Sequence, residues 1–246
     1  MSFQTWLKNA RKMRKMRRVK PHIWHVPGGP GNKGIGYIQN YKVGTRSIRQ
    51  ALSLYLLQRQ PAQDHSPLSY EAITADIIEG SDKEYSSFCR PEEIRKKWPE
   101  MPIFSFVRNP LSRLYSCYTD KVVDAAREGR RLPFEAWGVT PKTTFDEFVQ
   151  IVSNTPDEKS ERHFRSQSWF ISVNKKLIID DLGKIENFQG DWERLSERYG
   201  LPPVPHKNRS SANKEDYRDF YNKETYQLAC ERFRDDIELL GYQNEV

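Results

Sequence analysis

Cysteine is scarce in this chain of 246 residues. Its three cysteines, Cys89, Cys117 and Cys230, follow no metal-binding spacing and give no disulfide framework. Cys117 falls in a helical pattern and reads as packing, and the simplest setting is a reducing, intracellular one. No apolar run approaches the roughly 20 residues of a membrane span, and no hydrophobic segment follows the basic N-terminus as a secretory signal would require. Acidic residues are missing from positions 1–50, which hold twelve Lys or Arg. The rest of the chain carries 28 basic and 33 acidic residues, so the net +7 is +12 in the first fifth and −5 beyond it. No G-x-x-x-x-G-K-[ST] occurs, which excludes an ordinary nucleoside triphosphate loop and counts against a nucleotide-dependent kinase.

What the chain does have is 37% apolar and 12% aromatic residues, enough for a globular core. Eight of the twelve early cations lie between Lys8 and Lys20, with Phe3, Trp6, Ala10, Met13 and Met16 spaced along one helical face. Three readings of this arm stay open: a helix seeking anionic lipid, a nucleic-acid arm (the least favoured), or a solvated helix packed on its own domain. The loop signal Pro27–Gly34 separates a basic arm, residues 1–30, from a domain over 31–246. Its Gly29-Pro30-Gly31-Asn32-Lys33-Gly34 matches a dinucleotide fingerprint by letter only, because a strand pattern rather than a helix follows.

Strand patterns at 35–41, 103–107 and 176–180, with a further short one inside 70–99, alternate with helical patterns. The helical stretches are 48–58, 92–98, 111–126, 144–152, 191–199 and 223–240. This predicts an α/β fold, P-loop-like, with a central, mainly parallel sheet flanked by helices. Asn109 and Pro110 suit a helix cap and first turn, and Thr144 with Glu147 forms a capping box.

Two segments carry chemistry. In Tyr41-Lys42-Val43-Gly44-Thr45-Arg46-Ser47, Gly44 allows close backbone approach, and the Thr45, Arg46 and Ser47 amides open a helix. Lys42 adds a point charge, so the stretch suits a phosphate cradle. In Phe106-Val107-Arg108-Asn109-Pro110, Arg108 stands at the carboxyl end of a strand beside a helix start, where α/β folds hold anions; Ser116 follows on the helix.

The pair resembles the Golgi-type carbohydrate sulfotransferases (sulfotransferase family 2) that use 3′-phosphoadenosine-5′-phosphosulfate, PAPS. In that family a Lys-x-Gly-[Ser/Thr]-Thr-like loop holds the 5′-phosphosulfate. A strand ending Phe-x-Arg-[Asp/Asn]-Pro, then Arg and Ser-x-Tyr, holds the 3′-phosphate; Arg113, Ser116-Cys117-Tyr118 and Lys121 supply the counterparts here. His163-Phe164-Arg165-Ser166-Gln167 resembles the family's His-Trp-x-x-Gln segment, and Asp181–Phe188 its Asp-x-Ile-Gly-x-x-Glu-Asn segment. The stretch Tyr217–Tyr242 resembles its closing helix, which extends the likeness over about residues 35–242. Arg46 stands where the family has a small hydroxyl residue, and Asn109 replaces Asp. The family's membrane anchor and luminal cysteines are missing, pointing to a soluble, prokaryotic-type, cytoplasmic member.

The resemblance implies PAPS as co-substrate, no metal, and an acceptor hydroxyl on a carbohydrate or glycolipid. It implies donor contacts by Lys42, Gly44, Thr45, Arg46, Ser47, Arg108 and Ser116. Lys207, Arg209, Ser210 and Lys214 lie in a polar segment with two readings, a loop that closes over the 3′-phosphate or an ordinary solvated loop. Lys42 and His163 become the catalytic candidates; His65 and Glu71 rival His163 as base, and Glu186 would orient backbone or nucleotide. Trp169, Phe170 and the Trp24 region would line an acceptor groove or belong to the core. Peripheral contact with anionic membrane through residues 1–20 stays open, as does a membrane or nucleic-acid binding module driven by the arm.

Overall fold

The computed structural model describes residues 20–59, 72–204 and 216–246. They divide into two compact units, Lys20–Val107 with 170–204, and Arg108–Trp169 with 216–246.

The first unit is built on five strands: β1 (His22–Val26), β2 (Ile35–Gln39), β3 (Ser86–Phe88), β4 (Ile103–Val107) and, after a two-strand ribbon of β5 (Ser172–Val173) and β6 (Lys176–Leu177), β7 (Asp181–Lys184). The sheet order is β3-β1-β2-β4-β7. β4 pairs in parallel with β2 and β7, and β1 runs antiparallel to both its neighbours, so four strands share one direction. The expected mixed α/β layout with a mostly parallel sheet is present. β2 and β4 are buried along their whole length, as strands covered on both faces must be.

Two expectations for this unit are corrected. The arm assigned to 1–30 enters the sheet at His22–Val26: Ile23, Trp24 and Val26 are fully buried there, although the histidines at 22 and 25 break up the apolar pattern that would announce a strand; residues 1–19 lie outside the described residues. The strand expected at 176–180 is the ribbon strand Lys176–Leu177, and Asp181–Lys184 takes the place in the sheet. There the Asp180 carboxylate accepts from the Ile103 amide at 2.7 Å, and the Asp180 amide donates to the Ile103 carbonyl, which sets the register. Of the two readings open for Trp24 and Phe170, burial selects the core.

The helix Thr45–Arg59 lays Ile48, Ala51, Leu52, Tyr55 and Leu56 on the sheet beside Trp24, Tyr37, Phe104 and Phe106. The helix Phe188–Tyr199 covers the same cluster with Trp192, Leu195 and Tyr199. It is fastened to β7 through Asp181, whose carboxylate accepts from Arg194, Arg198 and the Tyr199 hydroxyl.

In the second unit Asn109 caps the helix Pro110–Tyr118, its side chain accepting from the Leu111 and Ser112 amides. The helix widens to i→i+5 bonding over Thr119–Val123 before ending at Arg127. Cys117 is buried, as packing requires. Thr144 and Glu147 close their capping box on the helix Phe145–Ser153. The closing segment, expected as one helix over 223–240, is two: Lys223–Arg232 and Arg234–Leu239. Phe233 breaks them by leaving helical angles (φ −109°, ψ 23°) with its ring buried. That break carries Asp236 into the interior.

Candidate functional site

β2 and β4 are parallel neighbours, so the loop that leaves β2 and the chain that leaves β4 depart from one edge of the sheet. The first runs Asn40–Gly44. Asn40 is fully buried; its carboxamide donates to Ser105 Oγ and the Phe106 carbonyl, both at 3.2 Å, while Ser105 Oγ donates to the Ile38 carbonyl at 2.7 Å. The loop is thereby tied to β4 before it turns outward. Its neck is closed by Thr45 Oγ1, which donates to the Asn40 carbonyl at 2.8 Å.

Between these ties Lys42 and Gly44 both have positive φ, 69° and 72°. A lysine in the left-handed region is uncommon and costs energy that its surroundings must supply. Gly44 has a second constraint: a Cβ there would lie 3.1 Å from Ile185 Cδ1. Val43, fully buried, pins the loop. The Thr45 and Arg46 amides occupy the first two positions of a 15-residue helix, where no intrahelical acceptor exists. The Ser47 amide instead bonds the Gly44 carbonyl at 3.0 Å, so the amide cradle expected of three residues rests on two. Arg46 is exposed and Ser47 buried.

Arg108 opens the second unit. Its Nε donates to Ser112 Oγ at 3.0 Å, one turn into the helix that Asn109 caps. Ser116, half-buried, follows one turn later on the same helical face. The hydroxyl that meets Arg108 is thus that of Ser112, a residue the sequence reading did not single out, although its i+4 spacing from Arg108 was a usable signal. Arg113 turns inward, fully buried, and donates to the Arg162 and Arg165 carbonyls. The Tyr118 hydroxyl donates to the Thr143 carbonyl, and Lys121 pairs with Asp120.

His163 is mostly buried. Its amide and its Nδ1 both meet Glu161 Oε2, each at 2.7 Å. With Nδ1–H donating to a carboxylate, Nε2 keeps the lone pair. Burial lowers the His163 pKa below its ordinary value, against the pull of Glu161, so the ring is neutral at pH 7. Burial also works to raise Glu161, but the hydrogen bonds and charge of His163, with Arg162, carry its carboxyl below the usual range. Glu161 was missed by sequence reasoning; two residues before a histidine, it had no motif to mark it.

Among the described residues no group of three or more His, Cys, Asp or Glu could hold a metal ion. No described helix is long and apolar enough to cross a membrane. His65, Glu71, Lys207, Arg209, Ser210 and Lys214 lie outside the described residues.

Comparison with known proteins adds one finding. A family model described as the sulfotransferase family matches residues 31–243. No curated protein and no solved structure matches the chain. Since the matched stretch is most of its length, the chain belongs to the sulfotransferase family, whose members transfer sulfuryl groups.

Proposed function

We propose that this member of the sulfotransferase family is a PAPS-dependent O-sulfotransferase that acts on a hydroxyl of a carbohydrate or glycolipid. The observation that carries the reading is that β2 and β4 are adjacent parallel strands of the first unit, with the Lys42–Ser47 loop following one and Arg108 the next residue after the other. One phosphate loop suits any nucleotide. A second cation, placed where the next parallel strand ends, suits a donor phosphorylated at two positions.

The 5′-phosphosulfate goes to the Thr45 and Arg46 amides, with Gly44 allowing close approach, Ser47 behind them and Arg46 reaching from the rim. The 3′-phosphate goes to Arg108 and Ser116, with Arg209 and Lys214 assigned to the same group from the loop beyond. Transfer is an in-line displacement. The acceptor oxygen forms the new O–S bond, the bond from sulfur to the bridging phosphate oxygen breaks, and the departing oxygen leaves as the phosphate of 3′-phosphoadenosine-5′-phosphate. Lys42 offsets the charge that grows on that oxygen. The acceptor proton goes to Nε2 of His163, which Glu161 holds in the accepting tautomer. No step calls for a metal, because the donor has no polyphosphate for one to bridge. The basic residues 1–20 would lend peripheral contact to an anionic membrane.

Thermal unfolding with 3′-phosphoadenosine-5′-phosphate, AMP and ATP tests the donor assignment. Ligand at 100 times its Kd adds about 2.7 kcal/mol, which is about 5–10 °C for a chain of this size. The bisphosphate should give that shift at concentrations where AMP and ATP give little. Equal shifts with AMP or ATP, or none with any, would refute it.

A further inference from the structure

Gln167 lies 59 residues from Arg108 in sequence, yet its side chain pairs with both polar groups of the Arg108 main chain. Its Oε1 accepts from the Arg108 amide at 2.9 Å, and its Nε2 donates to the Arg108 carbonyl at 2.8 Å. A carboxamide bonded this way acts as a strand partner for a single residue, and it does so at the position where β4 has ended. Gln167 is fully buried.

The clamp is itself aimed. The Gln167 amide donates to Asp236 Oδ2 at 2.8 Å, its Nε2 stands 3.4 Å from the same oxygen, and the Ser168 amide donates to Oδ1 at 2.7 Å. Asp236 is fully buried on the last helix. Burial pushes its carboxyl up, against the Ser168 and Gln167 bonds and the nearby charge of Arg113. The contact to Asp236 settles which end of the Gln167 carboxamide is oxygen: Nε2 must face the carboxylate, so Oε1 faces the Arg108 amide. On its other side Arg108 is held through Nε by Ser112 Oγ. Main chain and guanidinium stem are therefore both fixed, and the rotamer entropy that ligand binding would otherwise cost is largely lost already on folding.

We propose that Gln167, aimed by Asp236, is a positioning residue that presets Arg108 to select ligands carrying a 3′-phosphate. The inference rests on the reading of Arg108 as the 3′-phosphate contact. It assigns the selectivity to a chain of contacts, Asp236 to Gln167 to Arg108, whose first two members touch no ligand.

The test measures the affinities of the full chain for 3′-phosphoadenosine-5′-phosphate and for AMP by calorimetry, and takes their ratio. Gln167→Met keeps the volume and removes both bonds to Arg108. It should lower the preference for the bisphosphate about tenfold while AMP affinity stays within about twofold, because AMP needs only the Lys42 loop. Gln167→Asn, whose carboxamide is one methylene too short to reach both Arg108 groups, should give the same sign and serves if the methionine variant does not fold. Arg108→Ala separates the two ideas. If it keeps the preference, the 3′-phosphate reading falls and this inference with it. If it loses the preference while the Gln167 variants keep it, the inference alone is overturned. Equal weakening of both ligands by the Gln167 variants also overturns it, since that is what a purely structural glutamine would do.

Discussion

Asn40→Ala should destabilise the protein and weaken its hold on phosphate together, because one side chain ties the loop after β2 to β4. Its carboxamide donates two bonds, to Ser105 Oγ and the Phe106 carbonyl, both in fully buried surroundings. Each is worth about 1 kcal/mol net, and an acceptor left dry raises the cost. Allowing for the small cavity as well, the loss is about 2–3 kcal/mol. For a chain of this size that lowers Tm by roughly 4–12 °C. The Thr45 bond to the Asn40 carbonyl is unaffected by the substitution, since it uses the main chain. The loop should therefore keep its neck and lose its anchor to β4. Urea and thermal unfolding measure the first effect, and calorimetry with 3′-phosphoadenosine-5′-phosphate the second. A double-mutant cycle with Ser105→Ala isolates the Asn40–Ser105 contact, with an expected coupling of about 0.5–1 kcal/mol. A Tm within about 1 °C of the parent, or strictly additive losses in the cycle, would refute the reasoning, since the bonds would then contribute nothing to holding β4 and the loop together.

Three further outcomes follow from the geometry. Glu161→Gln removes the carboxylate that raises His163, so the His163 pKa should drop further and the acidic limb of the kcat profile should move to lower pH with a smaller plateau; an unmoved limb would remove His163 from the reaction. The stability that His163 contributes by staying neutral is present above its unfolded value of 6.5 and is lost as pH falls from there through its lower folded value, so urea midpoints of the parent should fall over that window and those of His163→Asn should fall less. Gly183→Ala would put a Cβ 2.5 Å from Phe106 Cε1 in a strand register that gives neither residue room. Overpacking of this kind costs about 1–3 kcal/mol, to be read as a lower Tm, and an unchanged Tm would mean that Phe106 repacks freely.

The sequence was most legible where the signal stays within one turn. The Asn109 cap, the capping box of Thr144 with Glu147, the apolar run 103–107 and the helix after Gly44 stand as the residues imply, because each depends on neighbours three or four positions away. The glycine fingerprint at Gly29–Gly34 leads into β2, as a strand-like continuation requires. Legibility failed for β1 and β7. Neither carries an apolar run like that of β4: β1 sets histidines at 22 and 25 among its apolar residues and β7 has one large apolar side chain, Leu182, so their place comes from hydrogen bonds to β2 and β4.

The site divides along the same line. By itself the sequence determined that a lysine-glycine loop and a strand-end arginine exist, and it placed each next to a helix start, because turn chemistry and capping are local. Only the tertiary structure decided that the two strands are parallel neighbours, and that Lys42 is held left-handed. It likewise decided that Ser112 takes the Arg108 Nε, and that Glu161 orients His163. It alone brought Gln167 to Arg108 across 59 residues and Asp236 to Gln167 across 69. Buried polar groups must find partners wherever the chain passes, and no spacing in a sequence says which distant segment will pass there.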